Sequence, residues 1–251
     1  MTDPRQRVAE YLKWQNTVSP FLLPKELLVK RPVAPAPVAP VAPVASAEPV
    51  AISSNDGPAT GDGPAAAMTA FAREIAGCRS CRLGETRTNL VFGDGDPHAR
   101  IMFIGEGPGR DEDLQGVPFV GRAGQLLTKI IESGMKIPRS SVYIANIVKC
   151  RPPENRVPHK DEAAACIGHL KRQIAIVRPE AIVLLGKTAL QYLLGEEMSI
   201  NEARQQVFHY EGIRVFVTYH PSALLRNPDY KRPTWEDIKK VLVFLGLPVE
   251  N

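Results

Sequence analysis

The stretch RPVAPAPVAPVAPVASAEPVAISSNDGPATGDGPAAA, from Arg31 to Ala67, most restricts what this chain can fold into. It is rich in Pro and Ala, then in Gly and Asp, and nearly free of large apolar side chains. Such a segment cannot bury enough surface to offset its ordering entropy. Its Ala-Pro steps favour extended polyproline II, which reads as a semi-rigid tether. The core must therefore come from the residues beyond it: a domain is expected over residues 67–251, preceded by an extension over 1–66. Within the extension, VAEYLKWQNTVSPFLLPKELLV carries a short apolar face of Val8, Tyr11, Leu12 and Trp14. Two readings of it stand: a short helix that packs back on the domain, or a tethered peptide that docks a protein partner through residues 1–30. The first residues are charged and have no apolar h-region, so no signal peptide is expected. The longest apolar runs, such as AIVLLG, are too short to span a bilayer. A cytoplasmic, monomeric protein away from membranes is the expectation. The chain has 251 residues, 44% of them hydrophobic, which suffices for a sizeable core. A net charge of +4 is compatible with a polyanion partner without requiring one.

Beyond the tether, apolar runs and helical periodicity alternate. RIMFIGEGPG is a buried strand and its glycine loop, and GRAGQLLTKIIESG has apolar residues at helical spacing with a glycine stop. SVYIANIVKC reads as a second strand, and KDEAAACIGHLKRQIAIVRP as a helix ended by Pro179. EAIVLLG is a third strand and KTALQYLLG its helix. VFHYEG and IRVFVTYHP are strands, and PTWEDIKKVLVFLG is a closing helix. This alternation implies an α/β sandwich with a mostly parallel sheet. Its ligand crevice belongs at the carboxyl ends of the strands, where GEGPG, NIVKCRPPENR and HPSALLRNP lie.

Four cysteines punctuate the domain. Cys78 and Cys81 form a C-x2-C pair, while Cys150 and Cys166 are separated by fifteen residues. In a reducing compartment metal or cluster ligation is the stronger reading than disulfides. Thiolate-only ligation suits zinc or an iron–sulfur cluster, and spacing alone does not choose between them. Thiol redox chemistry at the C-x2-C pair is a third, weaker reading.

Three segments in order, CRSCRLGETRTNLVFGDGDPHARIMFIGEGPGRDEDLQGVPFVGRAGQLL, YIANIVKCRPPENR and HPSALLRNP, resemble a family 4 uracil-DNA glycosylase. The match runs from about Cys78 to Leu242, and residues 1–66 fall outside it. The resemblance implies a three-layer α/β/α sandwich around a central, mostly parallel four-stranded sheet. It also implies a 4Fe–4S cluster on Cys78, Cys81, Cys150 and Cys166. The implied activity is hydrolysis of the N-glycosidic bond of uracil in single- or double-stranded DNA, the first step of base excision repair.

Such an enzyme must extrude a base, identify it and stabilise it as a leaving anion. One amide can accept from uracil N3–H and donate to O4, and Asn146 matches the family's reading asparagine. Without the resemblance, a turn-capping Asn would be the better reading. Phe119 matches the stacking aromatic, and Asn155 a residue of the pocket rim. Gly107, within the loop Gly105 to Gly109, lets substrate approach closely. His220 is expected to hydrogen-bond uracil O2 as charge develops there, held still by Pro221. Glu106 is the first choice for activating water and Glu112 the second; Asp111 reads equally well as a solvated loop residue. The tip Leu224–Leu225 can wedge into the stack. Ser222 and Arg226 are expected to meet phosphates, with Lys231 and Arg232 extending the grip. Lys149, Arg151 and Arg156 are expected to face DNA, and His159 to be an ordinary surface residue. Two competing functions are a non-catalytic nucleic-acid-binding protein of the same fold and a zinc-stabilised nucleotide-binding module. A uracil-excision assay separates the first from an enzyme, and metal content separates the second.

Overall fold

The computed structural model describes residues 63–249. Residues 31–62 of the tether and the apolar segment of residues 8–29 lie outside the described residues. The expected boundary moves slightly toward the N-terminus, because helix α1 (Pro64–Ile75) begins inside the stretch read as linker. Pro64 occupies its first turn, where the missing N–H costs nothing, and the alanines after it are the best helix formers. Met68, Phe71 and Ile75 recur at helical spacing and are buried.

After a short helix α2 (Leu83–Thr86), the strands are β1 (Asp94–Gly95), β2 (Ile101–Gly105), β3 (Tyr143–Asn146), β4 (Ala181–Leu185), β5 (Phe208–Tyr210) and β6 (Ile213–Thr218). They form one sheet in the order β1-β3-β2-β4-β6-β5. The four inner strands are parallel, as expected. Two short antiparallel strands, β1 and β5, close the edges and make the sheet six-stranded. β1 is only two residues long, so periodicity has almost nothing to register.

Both faces of the inner strands are covered. Met102, Ile104, Ile182, Leu184, Val215 and Val217 pack with Leu170, Ile174 and Val177 of α5 (Lys160–Val177) and with Leu190 of α6 (Lys187–Leu194). The opposite residues, Ile101, Phe103, Val183, Leu185 and Phe216, meet Leu127 of α4 (Arg122–Lys129) and Val241 and Leu242 of α9 (Lys231–Leu245). That produces the expected three layers. Helix α3 (Arg110–Gln115), α7 (Ile200–Ala203) and α8 (Pro221–Arg226) are short and sit in the connections. A π-helical turn, Ile130–Gly134, extends α4. The chain runs from β2 to its neighbour β3, then crosses back to β4 on the other side of β2. The loops leaving β2 and β4 therefore diverge, and a crevice opens between them at the carboxyl end of the sheet.

Candidate active site

A cleft of about 720 Å³ occupies that crevice. Glu106, Phe119, Asn146, Thr188, His220 and Arg226 are among its walls. They come from the ends of β2, β3 and β6, from the loop carrying Phe119 and from helices α6 and α8, which is why no single motif contains the site.

Asn146 is the last residue of β3 and only 2% exposed. Its Oδ1 is the one buried side-chain polar atom among the described residues that has no hydrogen-bond partner. A buried unpaired acceptor costs about 1–3 kcal/mol, a cost that a donor entering the cleft would relieve. Gly105, paired with Asn146 across the sheet, makes the room. A Cβ there would lie 2.5 Å from Asn146 Oδ1 and 2.6 Å from the Phe119 ring. Phe119 itself is buried and has a positive φ of 54°, an uncommon conformation for a bulky residue and one that clusters at ligand sites. Gly107 lies on the same wall, where a Cβ would strike the Val148 side chain at 2.7 Å.

The His220 ring lies across from Phe119, with centroids 5.6 Å apart and tilted by 36°. His220 caps α8. Its Nδ1 accepts the Ser222 backbone N–H at 3.2 Å and lies 2.8 Å from the Ser222 hydroxyl. With Nδ1 held as an acceptor, the ring proton belongs on Nε2. Burial, and then the charge of Arg226, lower the His220 pKa to about 4. A neutral imidazole offering Nε2–H is the result. Ser222, expected on a phosphate, is thus engaged with the imidazole. Leu224 is also placed differently: it is 2% exposed and part of the interior, leaving Leu225, 42% exposed, as the whole apolar tip. Helix geometry explains the split, since adjacent residues on α8 cannot share a face. Arg226 is exposed at the cleft, and Lys231 and Arg232 are exposed at the start of α9.

Glu106 follows β2 and accepts a hydrogen bond from the Thr188 hydroxyl at the start of α6. That bond spans the divergence of the β2 and β4 loops. Desolvation raises the Glu106 pKa, and the Thr188 bond partly opposes the rise. Glu112, the second choice for activating water, has a different task. Its Oε2 accepts the Gly109 N–H at 3.0 Å, and its Oε1 accepts those of Val120 and Gly121 at 3.0 and 2.9 Å. Those bonds shape the loop that carries Phe119. Asp111 is exposed on the cleft wall. Asn155 is an exposed residue of the rim, accepting from Arg151 Nε at 2.8 Å. Arg156 clamps the buried Glu162 carboxylate with two bonds of 2.8 and 2.7 Å. Lys149, expected to face DNA, is 1% exposed and points into the protein. His159 is exposed, as expected. Thr188 escaped the sequence reading; its signal was position alone, three residues past a buried strand at the crevice.

Of the four cysteines, Cys150 and Cys166 are buried and Cys78 and Cys81 half-buried. Three segments supply them: the turn after α1, the loop after β3, and α5. Arg87 Nη1 donates to Cys150 Sγ at 3.0 Å, the Lys149 N–H donates to Cys166 Sγ at 3.3 Å, and His169 Nε2 lies 3.5 Å from Cys78 Sγ. Burial pushes the Cys166 thiol up to about 11, with Cys150 and Cys81 among the lesser causes. The sulfurs therefore share one electrostatic neighbourhood. Among the described residues, no three His, Cys, Asp or Glu side chains are grouped around a single metal-ion position. No described helix is long and apolar enough to cross a membrane.

This fold, with a crevice walled by one amide, one aromatic ring and one imidazole, points to a class. The chain belongs to the uracil DNA glycosylase superfamily, whose family model matches residues 92–239. Within that class its similarity is to the type-4 enzymes. A type-4 uracil-DNA glycosylase of Sulfurisphaera tokodaii is 47% identical, over 70% of this chain and 83% of its own. One from Thermotoga maritima is 46% identical, over 71% of this chain and 94% of its own. A type-5 uracil-DNA glycosylase of Pyrobaculum aerophilum is 32% identical, over 59% of this chain and 71% of its own.

Proposed function

We propose that this chain is a monofunctional uracil-DNA glycosylase that hydrolyses the N-glycosidic bond of uracil in DNA and so starts base excision repair. The observation that carries the reading is the unpartnered Oδ1 of Asn146, buried at the back of a cleft between Phe119 and His220. Uracil N3–H is the missing donor, and the amide nitrogen of the same side chain donates to O4. Cytosine carries an amino donor in place of O4 and no proton on N3, so the same two contacts reject it. Phe119 stacks on the flipped base. The Nε2–H of His220 donates to O2 as the C1′–N1 bond breaks and negative charge moves onto the base. A neutral donor suits this role, because it becomes a stronger partner as charge develops and binds the uncharged ground state weakly. Water adds to C1′, its proton passing to the Glu106 carboxylate, and uracil leaves as the anion. Leu225 fills the vacated stack, and Arg226, Lys231 and Arg232 hold phosphates.

The cysteines Cys78, Cys81, Cys150 and Cys166 hold a 4Fe–4S cluster in this reading. The donor set fits: four sulfurs from three segments share one neighbourhood, with nitrogen groups placed around three of them. Cysteines that attach to separate irons need not converge on one ion. The cluster supplies a structural cross-link between the Cys150–Cys166 loop and the α1 turn. Thiolate ligation of this kind needs a reducing compartment, which accords with a cytoplasmic enzyme. Incubation with a uracil-containing oligonucleotide, single- and double-stranded, tests the function. Free uracil and an alkali-labile abasic site are expected; intact glycosidic bonds after exhaustive incubation of cluster-loaded protein would refute it.

A further inference from the structure

Behind the cleft lies a buried cationic side chain that the proposed chemistry does not use. Lys149 is 1% exposed. Its Nζ donates to the backbone carbonyl of Asn146 at 2.9 Å and to Oε1 of Gln173 at 2.6 Å. Gln173, 0% exposed, is itself aimed: its Nε2 donates to the Phe92 carbonyl at 2.9 Å and to the Tyr143 hydroxyl at 3.1 Å. Gly93 leaves space for this arrangement. A Cβ on it would lie 2.8 Å from the Tyr143 hydroxyl and 3.1 Å from Gln173 Nε2. The Lys149 backbone is tied on both sides as well, its N–H to Cys166 Sγ at 3.3 Å and its carbonyl to the Val91 N–H at 2.8 Å.

Burying an amine among neutral oxygens is expensive compared with filling the same volume by a methionine. Buried polar networks of this kind are retained where they fix one geometry. Here the geometry in question is that of Asn146. The side chain of Asn146 pivots on a backbone whose carbonyl Lys149 holds, so a small rotation of that peptide would swing the amide across the pocket. Displacements of about 1 Å at a reacting site cost on the order of a hundredfold in rate.

We infer that Lys149 is a positioning residue: by clamping the Asn146 carbonyl against Gln173 it aims the amide that selects uracil, and its own N–H links that aim to the Cys166 sulfur. The inference rests on the reading of Asn146 as the group that binds the base. It makes the cysteine loop part of substrate selection as well as of stability.

A double-mutant cycle on the full-length, cluster-loaded protein tests it. Asn146→Ala, Lys149→Met and the double variant are compared by single-turnover uracil excision, by inhibition with free uracil and by affinity for undamaged DNA. Lys149→Met is expected to lower both excision and uracil affinity on the order of tenfold to a hundredfold, with affinity for undamaged DNA unchanged. The double variant should be no slower than Asn146→Ala alone. The visible absorbance of each variant reports the cluster; if Lys149→Met loses it, Gln173→Met carries the same cycle with the same expectation. Losses that simply add, or unchanged uracil affinity in the Lys149 or Gln173 variant, would overturn the inference. Parent-like excision by Asn146→Ala would instead sink the assignment of Asn146, and the inference with it.

Discussion

His220 shows how one residue's surroundings choose its chemistry. Its Nδ1 is occupied by Ser222 and its ring is desolvated, so it stays neutral above a pKa of about 4. His220→Ala should therefore slow single-turnover excision on the order of tenfold to a thousandfold, the range for one donor to developing charge. DNA affinity should hardly change, and equal losses in both would point to a structural role. The same desolvation makes His220 a source of acid instability. The unfolded chain binds the proton near the ordinary value of 6.5 while the folded chain resists it to about 4, so its contribution to stability falls as pH drops across that window. In the proposed mechanism the acidic limb of the rate profile follows Glu106 instead. Glu106 must be ionised to take a proton, its pKa is raised by burial, and the Thr188 hydroxyl opposes that rise. Thr188→Val should move the acidic limb of excision to higher pH while leaving the plateau rate within a few-fold. A limb that stays where it was, in a pH series on both proteins, would remove Glu106 from the proton path.

At the scale of elements, the last strand and the loop behind it depend on a buried ion pair. Asp237 of α9 is 2% exposed, accepts Arg204 Nε at 2.6 Å, and accepts the Thr218 hydroxyl at 2.8 Å at the end of β6, two residues before His220. Asp237→Ala leaves Arg204 inside without its partner, which costs on the order of 3–5 kcal/mol. Chemical denaturation should show that loss, and a change below about 1 kcal/mol would mean that the region relaxes around the gap. The inner strands and long helices were legible in sequence because each carries a run of apolar residues at one period. Helix α1 was not fully legible, because its Pro-Ala-Ala-Ala start shares the composition of the tether. The pocket was legible only through the resemblance: by themselves Asn146 and Phe119 read as a turn residue and a core ring. Lys149 read as a surface lysine because it lies in a basic loop, and nothing local signals that its chain turns inward. Leu224 was misplaced for a related reason. Which side of a six-residue helix faces the interior is settled by tertiary contacts, not by the helix itself.

At the scale of the whole molecule, the chain divides its labour by composition. The described residues 63–249 belong to one compact unit, and the Pro/Ala tract of the extension lacks the apolar side chains to add to a core. Deleting residues 1–61 should leave the melting temperature and the excision of uracil from naked oligonucleotides nearly unchanged; a fall of several degrees in a thermal melt would assign the extension a place in the core. The central claim concerns the pocket, and Asn146→Asp tests it most directly. An ionised carboxylate cannot donate to uracil O4 and would meet it acceptor to acceptor. A site built to pair polar edges rejects such a mismatch heavily, by about 10⁴ or more where buried groups are left unpaired. Single-turnover excision from one uracil-containing oligonucleotide, measured for the parent and for Asn146→Asp, should show rapid release by the parent and a loss of several orders of magnitude in the variant. Uracil release by Asn146→Asp at near the parent rate would contradict the account.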